Sequence, residues 1–384
     1  MDNRKRILIC IDWYEPGFKA GGPIRSVANM VGALRNDFEF YLLTSAFDLG
    51  ETEPYSNVPV DEWIDLDGVF IKYLGEKNLR AGAIRGNIIE IDPDVIYLNS
   101  MFSQLFTLVP LALARRKRIA VVLAPRGMLG DGALEIKSRK KRFFIVVARL
   151  WGLYRNVTWH ASTNEERGEV QRHFGRRANV VVAQNIAVGQ KIPMEEILNR
   201  KKTGHIRFVF ISRIARKKNL HLAIEALLKI QTKTSVVFDI YGNIEDQEYF
   251  ETFRHLITKH EFVDIRYRGV LRPSEIPDVY ADADCLILPT MHENFGHAIV
   301  ESWSNGCPVI ISNHTPWKNL RVQNLGWDVD ISNEDNLAKT LQEAVDLDFT
   351  SYIAMVRASY EYFRDKISDA NIITDNRKLF ENAG

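Results

Sequence analysis

The chain has 384 residues, of which 46% are hydrophobic and 26% charged, and its formal net charge is +1. This composition is that of a folded globular protein, and the small net charge excludes a global attraction to nucleic acid. The length exceeds one ordinary hydrophobic core, so we expect two domains.

The three cysteines, Cys10, Cys285 and Cys307, each lie in or beside an apolar run and lack metal-ligand spacing. An odd number of separated cysteines indicates buried thiols in a reducing compartment. No apolar run approaches the length of a membrane span, and the N-terminus passes into a strand without a signal-peptide pattern. We therefore expect a cytoplasmic protein.

The first predicted strand covers residues 6–11, and the loop after it closes with Ala-Gly-Gly-Pro. Pro23 suits the first turn of a helix predicted over about residues 24–34. Gly21 and Gly22 therefore lie at a helix N-terminus, where backbone amides can bind a diphosphate, although a plain turn is the alternative. The glycine spacing does not fit Gly-x-Gly-x-x-Gly, which argues against a dinucleotide oxidoreductase.

Further strand candidates alternate with helical patterns, which is typical of a doubly wound parallel sheet. They cover residues 38–43, 69–73, 94–98, 119–123, 157–160 and 180–182. After this series the chain is polar and irregular through Gly204, and Arg200, Lys201 and Lys202 follow one another. We predict a first domain over residues 1–190 and an interdomain linker in this polar stretch.

A second series of strands predicts a second domain of the same class over residues 203–355. Its strands cover residues 206–211, 236–241, 265–267, 285–288 and 309–311. Two more helices, at about residues 350–363 and 371–380, end the chain.

A basic cluster, Ser-Arg-Ile-Ala-Arg-Lys-Lys-Asn, directly follows the strand that ends at Ile211. Cations at the carboxyl end of a parallel strand can neutralise a negatively charged ligand such as a diphosphate. The alternative is a solvated helix start.

Residues 286–312 read as strand, loop, helix and strand, with Pro289 ending the first apolar run and Gly306 ending the helix. Glu293 lies in the loop and Glu301 about one turn into the helix. Gly296 lets the backbone approach a ligand, and the amides near it suit phosphate. The site thus offers anion-binding amides beside two carboxylates that can accept hydrogen bonds from hydroxyls, which is the chemistry of a sugar nucleotide.

The run Glu-Asn-Phe-Gly-His-Ala-Ile-Val-Glu, followed by Gly-Cys-Pro-Val-Ile, resembles the signature of family-four retaining glycosyltransferases. The resemblance implies the GT-B fold, an α/β architecture of two Rossmann-like, doubly wound parallel-sheet domains facing a central cleft. It also implies that a helical tail, residues 356–384, crosses back to the N-terminal, acceptor-side domain.

The resemblance also assigns roles to residues. The family's Arg and Lys, five residues apart, fall on Arg213 and Lys218, which would bind the diphosphate, whereas Arg216 and Lys217 match no family position and read as solvated. Glu301 would bind the ribose, and Glu293 the donor sugar. The remaining donor-site candidates are Gly21, Gly22, Gly242, Asn243, Asn294, Phe295, Gly296 and His297, the last of which reads equally well as an exposed helix-start residue.

The first domain departs from the family pattern. Many relatives carry a histidine after the strand predicted at residues 119–123, where this chain has Ala-Pro-Arg-Gly-Met. Arg126 stays protonated and cannot be a general base, so we interpret it as a catalytic cation that neutralises a phosphate, in preference to a structural arginine. Without a base, retention remains available if the departing phosphate oxygen takes the acceptor's proton. Asn99 and Ser100, after the preceding strand, are the acceptor-site candidates.

No metal and no cofactor are expected. Asp-x-Asp occurs five times, but the motif is short and acidic residues are common. Asp282 and Asp284 precede their strand, at the end opposite the expected ligand site, and we interpret them as a turn.

Five of six positions from Lys137 to Arg142 are cationic, and an aromatic-rich apolar run follows as far as Tyr154. Such a segment can rest on an anionic membrane surface beside a lipid-linked acceptor, while a core-packed helix with a solvated basic start explains it equally well.

We therefore predict a retaining, metal-independent glycosyltransferase that uses a nucleotide-sugar donor and a glycan or lipid-linked acceptor, in bacterial surface-polysaccharide biosynthesis. A sugar-phosphate or glycogen-synthase-like transferase is the alternative with the same fold. A non-catalytic subunit that binds nucleotide or glycan is the alternative from another class.

Overall fold

The computed structural model describes residues 4–130, 138–188 and 192–383. The chain divides into two compact units. The first unit comprises residues 1–186 and 370–384, and the second comprises residues 187–369.

The first unit is built on an eight-stranded sheet with the order β3-β4-β2-β1-β5-β6-β7-β8, in which only β3 runs antiparallel to its neighbour. Its strands are β1 (Arg6–Cys10), β2 (Glu39–Ser45), β3 (Trp63–Leu66), β4 (Val69–Leu74), β5 (Val95–Leu98), β6 (Ala120–Leu123), β7 (Val157–Ala161) and β8 (Val180–Val182). Its helices are α1 (Gly22–Leu34), α2 (Ala81–Ile91), α3 (Val109–Lys117), α4 (Ser138–Leu150), α5 (Asn164–Phe174) and, after the second unit, α13 (Ala370–Glu381).

The second unit is built on a six-stranded sheet with the order β11-β10-β9-β12-β13-β14, and all its neighbouring strands are parallel. Its strands are β9 (His205–Ile211), β10 (Ser235–Tyr241), β11 (Val263–Gly269), β12 (Cys285–Leu288), β13 (Val309–Ser312) and β14 (Gly326–Val329). Its helices are α6 (Met194–Arg200), α7 (Leu220–Leu228), α8 (Gln247–Phe253), α9 (Ile276–Asp282), α10 (His297–Ser304), α11 (Glu334–Asp346) and α12 (Phe349–Tyr362).

The central strands explain why both sheets are covered on their two faces. In β1, Ile7, Leu8 and Ile9 are fully buried although successive side chains point to opposite faces, and β12 is buried along its whole length. Continuous apolar runs of this kind belong to parallel sheets with helices on both sides. The predicted α/β class, with two doubly wound parallel sheets, is therefore confirmed.

The unit boundaries differ from those that the sequence predicted. The stretch read as a polar linker contains α6, which packs within the second unit. Arg200 forms ion pairs with Asp278 at 2.9 Å and Asp282 at 3.3 Å, and the buried Lys201 donates to the carbonyl of Ala281 at 2.8 Å. A run of charges was taken as a solvated linker, but these side chains have partners about 80 residues further along the chain.

The end of the second unit also lies later than the predicted residue 355. Val356, Phe363 and Ile367 are buried within the second unit, so the predicted tail begins only at α13. In that helix Leu379 and Phe380 enter the core of the first unit. Among the residues that the structure describes, no helix combines the length and the apolar character needed to cross a membrane.

Candidate active site

The loops that follow β9 and β12 meet where the strand order of the second sheet reverses, since β9 lies between β10 and β12. Ligands of open α/β sheets bind at such a point, beyond the carboxyl ends of the strands. The amide of Met291 donates to the carbonyl of Lys217 at 2.8 Å, and the hydroxyl of the fully buried Thr290 donates to the same carbonyl at 3.2 Å. The two loops are thus joined through one backbone oxygen.

This junction brings Lys218 and Glu293 into direct contact. Lys218 Nζ donates to Glu293 Oε1, and the two side chains are only 9% and 14% exposed. A buried ion pair of this kind is strongly coupled, because removal of either partner leaves the other charge without compensation. The sequence had grouped these residues through motifs 75 positions apart.

Arg213 lies in the same basic loop and forms an ion pair with Glu245, a residue that the sequence prediction had not included. Lys217, which was interpreted as solvated, is instead half-buried. Its burial, together with the positive charges of Arg213 and Lys218, lowers the pKa of Lys217 to about 8. No sequence signal separates Lys217 from the exposed Arg216, because one tight turn of 3-10 helix, Arg216–Lys218, aims successive side chains in different directions.

The start of α10 has the backbone geometry that the sequence implied. Gly296 precedes the helix in the left-handed conformation, with φ of 80°, and a Cβ there would lie 2.8 Å from Ile299 Cδ1. The indole of Trp317 donates to the carbonyl of the buried Phe295 at 2.6 Å and holds it in place. The ring of Phe295 contacts that of His297 at 4.9 Å between centroids. The first amides of a helix have no partner within the helix, so this end suits an anion.

The donor-site candidates Asn294 and Glu301 lie before the start of this helix and about one turn into it, respectively. Asn294 lies in the loop before Phe295, and Glu301 lies on α10 and is half-buried. The loop is fixed on its other side by the Glu293 amide, which donates to the carbonyl of His314 at 3.2 Å.

Gly242 lies where the loops after β9 and β10 touch. A Cβ at this position would come within 1.8 Å of the Ser212 carbonyl oxygen, so only glycine fits. Its own carbonyl accepts from the Tyr267 hydroxyl at 2.9 Å, and the carbonyl of Asn243 accepts from the Ile214 amide at 2.8 Å. Gly242 and Asn243 therefore join the basic loop to its neighbouring strand.

In the first unit, Arg126 lies at the centre of a polar network after β6. Its φ is +54°, and its guanidinium donates to Asn99 Oδ1 at 2.8 Å, to Asn185 Oδ1 at 2.5 Å and to the Tyr97 hydroxyl at 2.8 Å. The loop is anchored by the buried Glu166, which accepts from the Gly127 amide at 2.7 Å. These three bonds show that Arg126 orders its neighbours, and its predicted contact with a phosphate stays a prediction.

The same network contains a buried histidine that sequence reasoning missed. His160 Nδ1 accepts from the Tyr97 hydroxyl at 2.8 Å, and its Nε2 donates to the Ala183 carbonyl at 2.9 Å. Burial, and then the charge of Arg126, lower the pKa of His160 to about 3, so the imidazole is neutral at physiological pH. Members of this network lie up to 88 positions apart in the sequence, so no local sequence motif predicts them.

The acceptor-site candidates lie at the carboxyl end of β5. Asn99 is buried, and its Nδ2 has no hydrogen-bond partner among the residues that the structure describes. Ser100 contacts the Thr107 hydroxyl at 3.2 Å. Nearby, Asp12, which the sequence prediction did not single out, accepts from the Ser103 hydroxyl at 2.7 Å, and burial raises the pKa of its carboxyl group. This edge of the first sheet therefore presents polar side chains.

Gly21 and Gly22 lie at the start of α1, as predicted. Gly21 has φ of 72° and no side chain caps the helix. The preceding turn is held by the buried Asp48, which accepts from the Phe18 amide at 3.0 Å. A role for this turn in phosphate binding stays a prediction.

No group of three or more histidine, cysteine or acidic side chains suited to a metal ion occurs within the described ranges. Asp282 and Asp284 engage protein partners at the amino end of β12: Asp282 pairs with Arg200, and Asp284 accepts from the Arg207 amide at 2.7 Å and the Tyr352 hydroxyl at 2.9 Å. That these residues bind no metal remains an expectation.

Comparison with known proteins bears on the family. Residues 195–361 match the model of a family described as glycosyl transferases group 1. A protein from Klebsiella pneumoniae, described as an uncharacterized 41.2 kDa protein in cps region, is 23% identical over 226 residues, which cover 57% of this chain and 60% of that protein. The alignment thus spans about three-fifths of that relative.

The fold is similar to that of two solved structures. Anabaena Alr3699/HepE in complex with UDP and glucose has a TM-score of 0.72 and 15% identity, covering 98% of this chain and 99% of its own. Sucrose-phosphate synthase from Thermosynechococcus elongatus has a TM-score of 0.74 and 14% identity, covering 99% of both chains. The chain therefore has the GT-B fold, and residues 195–361, which lie in its second unit, are similar to the glycosyl transferases group 1 family.

Proposed function

We propose that this chain is a retaining, metal-independent glycosyltransferase that moves a sugar from a nucleotide-sugar donor to a glycan or lipid-linked acceptor. The observation that carries the proposal is the buried contact between Lys218 and Glu293, beside the glycine-started helix α10. It joins a cation for phosphate, a carboxylate for hydroxyls and the amino-terminal end of a helix in one place. The match of residues 195–361 to the group 1 glycosyl transferase model, and the UDP and glucose bound by the Anabaena protein, support a nucleotide-sugar donor.

Lys218 and Arg213 would neutralise the departing diphosphate. Each is paired with a carboxylate, Glu293 and Glu245 respectively, so a diphosphate would meet cations that are already positioned. Arginine can bind phosphate oxygens with two parallel bonds, and lysine acts as a compact charge. Preorganised positive groups at a site where charge develops are typically the largest contribution to catalysis.

Glu293 and Glu301 would hold the donor's hydroxyl groups, Glu293 on the sugar and Glu301 on the ribose. The bond from the anomeric carbon to the phosphate oxygen breaks while the bond to the acceptor oxygen forms on the same face. The acceptor's proton passes to the departing phosphate oxygen, so retention needs no protein base. Arg126 cannot supply one, and His160, neutral and bonded at both nitrogens, is engaged within the fold.

The polar edge of the first sheet, with Asn99, Ser100 and Asp12, is our proposed acceptor side. We infer a role in bacterial surface-polysaccharide biosynthesis, which the cps-region description of the Klebsiella relative supports. We also infer that the protein works in the cytoplasm, in peripheral contact with the inner face of the plasma membrane. The basic and apolar helix α4 supports that contact.

The test is release of nucleoside diphosphate from UDP-, GDP- and ADP-sugars, with glycan, lipid-linked and sugar-phosphate acceptors. Glu293→Gln should lower kcat by about 100-fold or more. Glu225→Gln, on the exposed face of α7, is the matched control and should leave turnover unchanged.

Three outcomes would each overturn part of the proposal. Nucleotide binding without turnover, with every donor and acceptor, would favour a binding subunit. Loss of turnover in EDTA would contradict metal independence. An inverted anomeric configuration of the product, observed by NMR, would contradict retention.

A further inference from the structure

Helix α4 and the turn after it expose a continuous apolar face on the first unit. Phe143 is 72% exposed, Val146 55%, Leu150 78% and Trp151 81%. The first three are spaced three and four residues apart, which places them on one side of a helix. Scattered exposed apolar residues are ordinary, but four large ones side by side indicate an interaction surface.

The helix is anchored by its opposite side. Ile145 and Ala148 are buried in the core of the first unit, and the ring of Phe144 contacts that of Phe102 at 5.6 Å between centroids. Lys141 Nζ lies 5.8 Å from the centre of the same Phe102 ring. The inward side of α4 therefore holds the helix in place, and the exposed apolar side chains take no part in that packing. The sequence had left open whether this segment is core or surface, and the structure divides it between the two.

Positive charge surrounds the apolar face. The exposed cations of α4 and its following turn are Lys140, Arg142, Arg149 and Arg155. The end of α3 adds exposed cations and reaches the same turn, since Arg115 Nη1 contacts the Leu153 carbonyl at 3.5 Å. These added cations are Arg115, Arg116, Lys117 and Arg118.

Few acidic residues lie near these cations in the sequence. The sequence has no aspartate or glutamate from residue 95 to 130 or from residue 138 to 164, although the whole chain has a net charge of only +1. The charge on this face is therefore strongly asymmetric.

We propose that this face, Phe143, Val146, Leu150 and Trp151 with the surrounding cations, docks on an anionic lipid bilayer. The inference rests on the proposed function only in that it names where a lipid-linked acceptor would be met. Apolar side chains enter the boundary between head groups and acyl chains, while lysine and arginine bind the negative surface. Tryptophan beside the apolar residues suits the interfacial layer.

Charge favours a bilayer over a second copy of the chain. A symmetric dimer would place the same patch on itself and bring the two sets of cations face to face, which costs free energy. A lipid surface supplies many negative charges in any arrangement, as this broad distribution of cations requires.

Flotation with vesicles of phosphatidylcholine alone, and of phosphatidylcholine with 30% phosphatidylglycerol, tests the proposal. We expect wild-type protein to float only with the anionic vesicles and to be released by high salt. Phe143→Ser/Leu150→Ser/Trp151→Ser and Arg116→Gln/Arg142→Gln/Arg149→Gln should each weaken binding about tenfold or more. Val322→Ser, an equally exposed apolar residue in the second unit, is the control and should float like wild type.

Equal flotation on neutral vesicles, no flotation, or binding that both triple variants retain would overturn the proposal. The proposal would also be overturned if light scattering showed a wild-type dimer that Phe143→Ser/Leu150→Ser/Trp151→Ser abolishes, because the face would then serve self-association. Nucleotide binding and donor hydrolysis without vesicles should be unchanged in both triple variants. Glu293→Gln should lose turnover and still float, so failure of the proposed function and failure of membrane docking are distinguishable.

Discussion

The buried ion pair of Lys218 and Glu293 allows a quantitative prediction about the second unit. Lys218→Met leaves the Glu293 carboxylate without its cation at a position where only 14% of that side chain is exposed. Removing one partner of a buried pair costs about 3–5 kcal/mol, because the remaining charge is poorly solvated. For a unit of this size, each kcal/mol lowers Tm by about 2–4 °C, so we expect a loss of roughly 10 °C.

Glu293→Gln should cost a similar amount by stranding the Lys218 ammonium group. The double variant Lys218→Met/Glu293→Gln removes both charges, and we expect it to lose less than the sum of the single losses by about 1–3 kcal/mol. We would measure the free energy of unfolding of wild type, the two single variants and the double variant by urea unfolding followed by fluorescence. Calorimetry would give the Tm of the same four proteins.

Lys229→Met is the matched control for this cycle, since Lys229 pairs with Asp335 at 3.3 Å on the surface of the same unit. Exposed pairs contribute about 0–1 kcal/mol, so this variant should unfold almost like wild type. If the losses of the two single variants add in the double variant, or if Lys218→Met is as mild as Lys229→Met, the two side chains are not a coupled buried pair and the reasoning fails.

Two further predictions concern the same loops. Because the pKa of Lys217 is lowered to about 8, the charge of its ammonium group is lost above that pH. On the proposed function this charge would favour a bound diphosphate, so the UDP affinity measured by calorimetry should fall by up to about tenfold per pH unit above pH 8. Lys217→Met should lack this dependence. Gly242→Ala should lower the free energy of unfolding in urea by about 3 kcal/mol and weaken UDP binding, because the added Cβ would lie 1.8 Å from the Ser212 carbonyl oxygen. Gly269→Ala is the control, since Gly269 has φ of +81° but no atom within 4 Å of the added Cβ, and it should destabilise the protein less. Equal losses in the two variants would exclude the steric cause.

The donor-side half of the candidate site was readable from the sequence because its parts are local. Residues 286–312 hold a strand, its loop and the next helix without interruption, and the structure has the helix at His297–Ser304. Gly296 is needed for its backbone conformation, and Glu293 follows a buried strand. Short-range order and periodicity suffice for such a unit.

Charge was a poor guide wherever the partner is distant in sequence. Lys201 was assigned to a solvated linker, but it is buried and donates to carbonyl oxygens of Ala281 and Ala283. Lys217 was interpreted as solvated and is half-buried. The antiparallel strand β3 and the edge strand β14 were missed, because two of the four residues of β3 are exposed and Asp328 interrupts the apolar residues of β14. Tertiary contacts decided each case.

The first unit shows the limit of motif reasoning more sharply. Arg126 was singled out because a family histidine is missing at this place, but its neighbours Tyr97, Asn99, His160 and Asn185 come from separate segments. The network has one cation and no carboxylate bonded to it in these contacts. Arg126→Met would therefore release two amide oxygens and a phenol at once, and a loss of activity in that variant would not by itself identify a phosphate ligand.

The pairing of cations with carboxylates in the second unit has a consequence for how a donor would bind. If a diphosphate takes Lys218, Glu293 loses its cation while remaining mostly buried, which is costly unless hydroxyl groups replace the lost bond. A nucleotide sugar brings the hydroxyls of its transferred sugar next to the diphosphate, whereas a nucleoside diphosphate has hydroxyls only on its ribose. The pair would thus couple recognition of the phosphate to recognition of the sugar. A diphosphate that carries no sugar would therefore bind less well than the intact donor.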